Sequence, residues 1–411
     1  MKVLLLNQAF HPDVVATGQY LRELAVGLTE RGHHVTVVTG RRAYDDPRVR
    51  FPKREKAQRL DIHRVGGTGL GKAAKWRRAA DFASFLTLCA GRLARLPRHD
   101  VVVALTSPPL ISFLGAWLAR LRGSRFVYWV MDLNPDAALA AGWLRADSPA
   151  ARALDRMSRF SLRRADKVIA LDRFMRDRIV AKGIAPGKIA VIPPWSHDGA
   201  VGFDAEGRAR FRAAHGLDRQ FVVMYSGNHS PCHPLDTLLE AARWLKGQRD
   251  ITFCFVGGGS EFARIQQCAA RERLANVRCL PYEPLDRLGG SLSAGDLHAV
   301  VMGEAFVGIV HPCKIYNLLQ IGAPILCIGP KPSPVSDIFA EQPERLACGW
   351  AGHGQVESVA RHILRVRDWG ADWDRRAFGP LAQRFSQGTL LPRLVAAVEG
   401  RSGPGVEGAQ S

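Results

Sequence analysis

Short apolar runs alternate with amphipathic segments along the whole chain. In the first half the runs are KVLLLN from Lys2, HVTVVT from His34, DVVVALT from Asp100, RFVYWVMD from Arg125, KVIALD from Lys167 and KIAVIPP from Lys188. A helical pattern from Gln19 to about Arg31 lies between the first two runs, and Gly32 follows it as a stop. Strands that alternate with helices at this spacing predict a doubly wound parallel sheet.

The second half repeats the rhythm. Its runs are FVVMYSGN from Phe221, ITFCFVGGG from Ile251, NVRCLPY from Asn276, LHAVVMG from Leu297 and PILCIGP from Pro324. The intervening PPWSHDGAVGFDAEGRARF has no apolar period and is typical of a linker. We therefore predict an α/β protein with two Rossmann-like domains that face a central cleft, where the carboxyl ends of the strands bind ligands.

These patterns suggest the following boundaries. We expect an N-terminal domain over residues 1–195, a linker over 196–217, a C-terminal domain over 218–375, a C-terminal helix over 376–400 that returns to the N-terminal domain, and a disordered tail over 401–411.

Composition narrows the class of protein. A chain of 411 residues with 47% hydrophobic and 23% charged residues is expected to be globular. No apolar run reaches the roughly 18 residues of a membrane span, and the first run turns polar at Asn7, so we expect a cytoplasmic protein. The 8 cysteines form no CxxC pair and no Cys/His ladder, so we expect neither disulfides nor a metal site.

Charge is divided unevenly between the halves. The net charge of +19 consists of +17 in residues 1–200 and +2 in residues 201–411. Residues 72–98 and 152–178 combine many cations with Trp76, Phe82, Phe85 and Leu86. Such helices suit an anionic membrane surface, although apolar faces packed on the sheet with solvated arginines outside would explain them equally. No helix-turn-helix, RNA-binding or zinc signature is present, so no nucleic acid partner is expected.

Four strand-to-helix turns are candidate anion sites. They contain Thr17 and Gly18, the segment SGNHSPCHP from Ser226, the segment GGGSEF from Gly257, and Lys314 in the first turn of a predicted helix. Helix N-termini offer free N–H groups to anions, and glycines allow close approach. None of the four matches the P-loop or the dinucleotide fingerprint, which disfavours ATPases and dehydrogenases.

Several of these segments together resemble one family. The opening βαβ unit with Gly18, MDLNPDAALAAG from Met131, YSGN from Tyr225, FVGGGSE from Phe255 and HPCKIYNLLQIGAPIL from His311 are similar to the GT-B glycosyltransferases of family 4, the "group 1" enzymes. The resemblance extends over about the whole chain.

The resemblance implies a donor sugar nucleotide in the C-terminal domain, an acceptor in the N-terminal domain, transfer with retention, and no catalytic metal or other cofactor. Lys314 would face the departing diphosphate, and Asp132 would be the catalytic or acceptor-binding carboxylate. The implied catalytic residues are Asp132, Lys314 and His229; the donor residues are Gly18, Gly227, Asn228, His233, Gly257, Gly258, Tyr282, Glu304, Ile309, Val310 and Asn317; the acceptor residues are His11, Thr17 and Asn134.

The chain departs from the family at several positions. Asn228 and His233 stand where many members carry an Arg and a Lys for the diphosphate, and His233 would serve only if protonated. Ile309 and Asn317 stand where many members carry two glutamates, and Glu304 is a nearby substitute.

The leading interpretation is a retaining hexosyl- or N-acetylhexosaminyltransferase. It would use a UDP- or GDP-sugar and a lipid-linked or glycan-precursor acceptor at the inner face of the membrane. The alternatives are a glycosyltransferase for a soluble acceptor, a sugar-nucleotide epimerase of the same fold, and a binding protein that has lost catalysis.

Overall fold

Two parallel β-sheets, each in its own compact unit, organise the chain. The computed structural model describes residues 1–13, 15–43, 48–70, 75–197, 199, 201–340, 348–370 and 374–401. One unit contains Met1–Pro193, Gly308–Val310 and Leu390–Ser411, and the other contains Pro194–Val307 and His311–Thr389.

The sheet of the first unit has eight strands in the order β3-β4-β2-β1-β5-β6-β7-β8. They are β1 (Lys2–Leu6), β2 (His34–Gly40), β3 (Arg54–Ala57), β4 (Leu60–Val65), β5 (Val101–Ala104), β6 (Arg125–Trp129), β7 (Lys167–Ala170) and β8 (Ile189–Val191). Only the edge strand β3 is antiparallel to its neighbour. The helices are α1 (Ala16–Glu30), α2 (Lys75–Ala94), α3 (Ile111–Arg122), α4 (Asp136–Ala140), α5 (Pro149–Arg164) and α6 (Arg173–Ala181).

The sheet of the second unit has six parallel strands in the order β11-β10-β9-β12-β13-β14. They are β9 (Phe221–Asn228), β10 (Ile251–Gly258), β11 (Val277–Leu280), β12 (Leu297–Val301), β13 (Ile325–Ile328) and β14 (Cys348–Ala351). The helices are α7 (Ala205–His215), α8 (Asp236–Trp244), α9 (Phe262–Arg271), α10 (Leu288–Ser293), α11 (Lys314–Ile321), α12 (Pro334–Phe339), α13 (Val356–Trp369) and α14 (Gly379–Arg384).

The last helix, α15 (Gln387–Glu399), packs with the first unit. Arg125, at the start of β6, donates hydrogen bonds of 2.7 Å to the carbonyls of Ala397 and Val398. These are terminal carbonyls that have no partner within the helix, so the guanidinium caps it. Glu399 accepts a hydrogen bond of 3.1 Å from Arg31, which follows α1.

The predicted α/β fold with two Rossmann-like parallel sheets is confirmed. All eleven apolar runs named above form strands, because buried strands of parallel sheets are continuous apolar segments. Three strands were not predicted: β3 is mostly polar, β4 alternates apolar and polar residues and has no continuous apolar run, and β14 is short and contains a glycine. The predicted tail over 401–411 falls outside the described residues, apart from Arg401.

The order of the strands brings the candidate turns of the second unit together. Strand β9 lies between β10 and β12, so the turns that follow these three strands share one edge of the sheet. In the described part of the chain, no helix is both long and apolar enough to cross a membrane.

A buried carboxylate anchors α7 to this second sheet. Asp296, just before β12, accepts hydrogen bonds from Arg208 at 2.6 Å, from Arg212 at 3.0 Å and from the backbone N–H of Val222 at 2.8 Å. The two arginines and the start of β9 thus depend on the one carboxylate of Asp296. Loss of this carboxylate would leave the charges of the arginines without their partner.

We expect Asp296→Ala to lower the free energy of unfolding by about 3–5 kcal/mol, because it removes the carboxylate that pairs with the two guanidinium groups. Urea unfolding followed by circular dichroism measures the change. Asp218→Ala, at an exposed position near the same strand, is the control and should change stability by less than about 0.5 kcal/mol. Equal stability of the two variants would contradict the anchoring role.

Candidate functional site

Two glycine turns pack against each other at the carboxyl edge of the second sheet. Gly227 and Gly257 are the penultimate residues of β9 and β10, and both have φ near +134°. A Cβ atom on Gly257 would lie 2.1 Å from the Gly227 carbonyl oxygen, so no other residue fits there. The N–H of His229 donates to the Gly258 carbonyl at 2.7 Å, which joins the turns. The sheet thereby presents main-chain atoms at its edge with no side chains in the way.

Lys314 lies in the first turn of α11, beside these glycines. Its Nζ is 3.4 Å from the ring centroid of Tyr225, and a Cβ on Gly227 would lie 3.1 Å from the same Nζ. The Nζ atom is inaccessible to solvent and has no hydrogen-bond acceptor among the described residues. Burial lowers the pKa of Lys314 well below its ordinary value. Among the described residues, this buried amine therefore has an aromatic ring beside it and no hydrogen-bond acceptor.

His229 packs in an aromatic cluster next to this lysine. Its ring centroid is 4.9 Å from that of Tyr225 and 4.9 Å from that of Phe262. Burial, and then the charge of Lys314, lowers the pKa of His229 to about 4, so the ring is neutral at pH 7. His229 thus supports Lys314 through packing and carries no charge of its own.

His233 could balance a diphosphate only in its protonated form, and its surroundings lower its pKa and favour the neutral form. The Nδ1 atom of His233 makes a hydrogen bond of 2.7 Å with the carbonyl of Val301, so this nitrogen carries the proton. Burial and the charge of Lys314 lower its pKa to about 3, so the imidazole does not replace the missing lysine at neutral pH. Asn228 is exposed at the end of β9, and its carbonyl accepts a hydrogen bond of 2.7 Å from the Tyr225 hydroxyl.

Tyr282 and Glu304 flank the turns. The ring of Tyr282 is half exposed and lies 3.1–3.2 Å from where Cβ atoms of Gly257 and Gly258 would be. Glu304 is exposed and begins a 3-10 turn, Glu304–Phe306, that follows β12. Both side chains are accessible at the edge that carries Lys314.

Three predicted donor residues have other surroundings. Ile309 and Val310 are buried and pack with the first unit, where the Ile309 carbonyl accepts a hydrogen bond of 2.8 Å from the N–H of Leu133. Asn317 Oδ1 accepts a hydrogen bond of 3.0 Å from the N–H of His197, and so holds the segment that enters the second unit.

In the first unit, the carboxyl ends of β1 and β5 meet around Asn7. Its amide donates to the Ala9 carbonyl at 2.8 Å and to the Thr17 hydroxyl at 3.4 Å, and its Oδ1 accepts from the N–H of Ser107 at 3.3 Å. A Cβ on Gly18 would lie 3.1 Å from the Phe10 nitrogen, so the start of α1 packs directly on the opening loop.

Asp132 lies three residues beyond the end of β6 on the same edge of this sheet. Burial raises the pKa of its carboxyl group to about 6. Within the described parts of the chain, no side chain donates a hydrogen bond to it. Asp136, by contrast, is paired with Lys182 at 2.8 Å. Asp132 is therefore the carboxylate of this loop that is left to interact with a ligand.

Asn134 and His11 lie on neighbouring loops of the first unit. Asn134 is half buried and precedes Pro135. The carbonyl of His11 accepts a hydrogen bond of 2.6 Å from Arg64, and the exposed imidazole has a lowered pKa because of partial burial and the nearby Arg22 and Arg64. His11 is thus a neutral side chain in a cationic environment.

Two site residues were missed by the sequence analysis as functional positions. Tyr225 supplies the ring under Lys314, and Asn7 connects the loops around Gly18. Their signal in the sequence is the same: each is a polar or aromatic residue near the end of a buried strand. In the described residues, no group of three or more His, Cys, Asp or Glu side chains is placed to hold a metal ion.

The chain matches known proteins in sequence and in fold. Residues 16–195 match the family model "Glycosyl transferase 4-like domain". The putative colanic acid biosynthesis glycosyl transferase WcaI of Escherichia coli is 27% identical over 337 residues, which cover 78% of this chain and 82% of the relative. The probable glycosyltransferase WbjE of Pseudomonas aeruginosa is 25% identical and is covered to 97% in both chains.

Among solved structures, the Anabaena protein HepE in complex with UDP-glucose superimposes with a TM-score of 0.70. It is 16% identical to this chain, and the match covers 97% of this chain and 99% of HepE. At this identity the likeness is one of fold. In sequence the chain is similar to glycosyltransferases, over residues 16–195 for the family model and over most of its length for the two named relatives, and its two parallel sheets share the GT-B fold.

Proposed function

We propose that this protein is a glycosyltransferase that moves a hexose or N-acetylhexosamine from a UDP- or GDP-sugar to a lipid-linked or glycan-precursor acceptor, with retention at the anomeric carbon. The reaction takes place at the cytoplasmic face of the membrane. In it, the acceptor hydroxyl loses a proton and bonds to the anomeric carbon, and the bond from that carbon to the nucleoside diphosphate breaks.

The buried ammonium of Lys314 carries the proposal. An amine with a depressed pKa and no anionic partner gains most from a ligand that brings negative charge into hydrogen-bonding range. A diphosphate against the glycine turns would restore the charged state of Lys314 and accept hydrogen bonds from it. The same contact would strengthen as the leaving diphosphate gains charge, which favours the transition state.

The relatives support the substrate classes. HepE was solved with UDP-glucose, a nucleotide sugar, and WcaI is named for colanic acid biosynthesis. By analogy, this chain would use a nucleotide sugar to build a surface polysaccharide or its lipid-linked precursor. The family resemblance supports retention.

We propose that a single side-chain cation and main-chain N–H groups balance the diphosphate, without a divalent metal ion. The start of α11 and the backbone of the glycine turns supply N–H groups of the kind that bind phosphates at helix N-termini. Binding that persists in EDTA would support this arrangement.

Asp132 is the proposed acceptor-side group. Its raised pKa and the lack of a hydrogen-bond donor among the described side chains allow it to accept the proton of an acceptor hydroxyl. A base with a pKa of about 6 remains mostly ionised at neutral pH and is stronger than an ordinary aspartate.

An exposed face of α3 supports contact with the membrane. Trp117 and Leu121 are 51% and 61% exposed, and Arg120 lies beside them at the helical spacing of a single face. The sequence predicts the contact on residues 72–98 and 152–178; in the first of these stretches Phe85 is buried, while Trp76 is 64% exposed. Aromatic, aliphatic and cationic side chains together suit an anionic lipid interface.

The first prediction concerns Lys314→Met, tested by thermal shift with UDP, GDP, ADP and their sugars, with and without EDTA. We expect one nucleotide to raise the melting temperature of the wild type in EDTA, and Lys314→Met to weaken that binding by about 10- to 100-fold. Without ligand, the variant should melt higher, because methionine fills the space without a buried charge.

Lys331→Met is the matched control, since Lys331 is an exposed lysine stacked 4.6 Å from the Trp350 ring centroid. It should leave nucleotide binding unchanged. If Lys314→Met binds the nucleotide as the wild type does, the diphosphate role is wrong. If nucleotides bind but no sugar is transferred to any acceptor, the protein is a binding protein. If incubation with the sugar nucleotide alone converts its sugar into an epimer, the protein is an epimerase.

The second prediction concerns pH. The kcat/KM of transfer should fall tenfold per pH unit below about pH 6, because protonation of Asp132 removes the base. Asp132→Asn should lose at least about 100-fold in kcat at pH 7.5. The control Asp147→Asn alters an exposed carboxylate paired with Arg145 and should keep the wild-type profile. An acid limb that survives in Asp132→Asn would assign the titration to another group.

The third prediction concerns the membrane. The double variant Trp117→Ser, Leu121→Ser should bind phosphatidylglycerol vesicles about tenfold more weakly in a flotation assay, because two exposed apolar anchors are lost. Trp244→Ser removes a tryptophan that is 56% exposed in the second unit and serves as the control. Equal flotation of wild type and double variant would exclude α3 as the contact, and wild-type protein that ignores the vesicles would favour a soluble acceptor.

A further inference from the structure

A pocket of about 80 Å³, partly open to solvent, lies within the first unit between α3, the loop before α4, and α5. Its walls come from the loop after β5, the start of α3, strand β6, the turn at Asn134 with α4, and the inner face of α5. A single water molecule needs about 10–15 Å³ of such space, so the pocket has room for a short run of carbon atoms. None of the contacts described so far uses it.

The accessible wall of this pocket is almost entirely carbon. Leu110, Pro135, Ala138, Leu154 and Met157 are its main apolar lining residues. A surface of this composition favours an apolar ligand, because each methylene removed from water contributes favourably.

The hydroxyl groups around the pocket do not alter this character. Ser112 donates to the Ser161 hydroxyl at 3.3 Å, and Ser161 donates to the carbonyl of Met157 at 3.0 Å. The hydroxyl oxygens of Thr106 and Ser158 have no accessible surface, so they lie beneath the wall and do not face the space.

The pocket adjoins the proposed acceptor group. Asn134 and Pro135 belong both to its wall and to the turn that begins at Asp132. Tyr128, a further wall residue, lies in β6, and its hydroxyl pKa is raised to about 12 by burial, with Asp132 and Asp136 adding to the effect. A ligand in the pocket would therefore extend away from a group attached near Asp132.

The helices that line the pocket also carry the exposed face proposed to contact lipid. Helix α3 lines the pocket with Ser112 on one side and exposes Trp117 and Leu121 on another. Helix α5 lines it with Leu154 and exposes Arg152 and Arg156. An apolar pocket between two helices with these outer faces suits a ligand that comes from a bilayer.

We propose that this pocket binds the first part of the hydrocarbon chain of the acceptor, next to the head group that receives the sugar at Asp132. The proposal rests on the proposed function and deepens it, since it assigns the lipid of the acceptor to a defined subsite. We take the hydrocarbon chain of the acceptor to be an isoprenoid. An acyl chain would offer the pocket the same apolar surface.

The test uses isothermal titration of the full-length protein with dimethylallyl, geranyl and farnesyl phosphate, and with inorganic phosphate. For the wild type we expect affinity to rise with each isoprene unit, because each unit buries further carbon. Ala138→Phe fills the pocket and should weaken farnesyl phosphate binding about tenfold or more and flatten the dependence on chain length. Ala138→Leu, a smaller change, should give an intermediate loss.

Ala150→Phe is the matched control, because Ala150 is exposed on α5, the helix that supplies Leu154. It should retain the wild-type affinities. If farnesyl phosphate does not bind the wild type better than inorganic phosphate does, or if Ala138→Phe and Ala138→Leu bind it as tightly as Ala150→Phe, the pocket is not the subsite.

Competition identifies the source of the chain. Farnesyl phosphate that remains bound when phosphatidylglycerol vesicles are added supports an isoprenoid acceptor. Displacement by the vesicles supports a bilayer acyl chain in the same pocket.

The nucleotide thermal shift separates this proposal from the proposed function. It should be the same in Ala138→Phe as in the wild type, which also shows that the variant is folded. Binding of farnesyl phosphate without any nucleotide shift would overturn the proposed function and leave the pocket in place. A nucleotide shift together with an affinity for the isoprenyl phosphates that does not rise with chain length would overturn the pocket proposal and leave the proposed function in place.

Discussion

The buried cation of Lys314 is the constraint on which the second unit is built. Its ammonium occupies space that exists because Gly227 has no side chain, and Tyr225 supplies the ring beneath it. A buried charge without a partner lowers the free energy of unfolding, so a lysine at this position does not serve the stability of the fold. The surrounding histidines are neutral and do not share its charge. A protein that keeps this arrangement gains its benefit only when an anion is present.

The first unit also has an ionisable group with no charged partner among the described residues, and this group is an acid, Asp132. Asp132 has a raised pKa at a sheet edge, whereas Asp136, four residues later, is neutralised by Lys182. The two carboxylates thus differ in role although they belong to one short motif. Each unit thus places one poorly compensated ionisable group, Lys314 or Asp132, at the carboxyl edge of its sheet.

The sequence predicts the fold well and the site in part. Buried parallel strands are visible locally as apolar runs, whereas β3 and β14 depend on pairing at sheet edges and leave little local signal. Lys314 and Asp132 are recognisable because their motifs are local. The surroundings of Asn317 depend on a partner 120 positions away, and the pKa of His233 depends on burial and on Lys314, so neither follows from spacing alone.

The return of α15 to the first unit has a consequence for how the chain folds during synthesis. Arg125 and the face of α1 at Gly27 both pack against α15. This helix begins only at Gln387, so it is synthesised long after them. At ribosomal rates of about 5–20 residues per second, the gap from Pro193 to α15 is on the order of 10–40 s. Throughout that interval the first unit has an unfilled apolar seam, which makes it a natural client for chaperones.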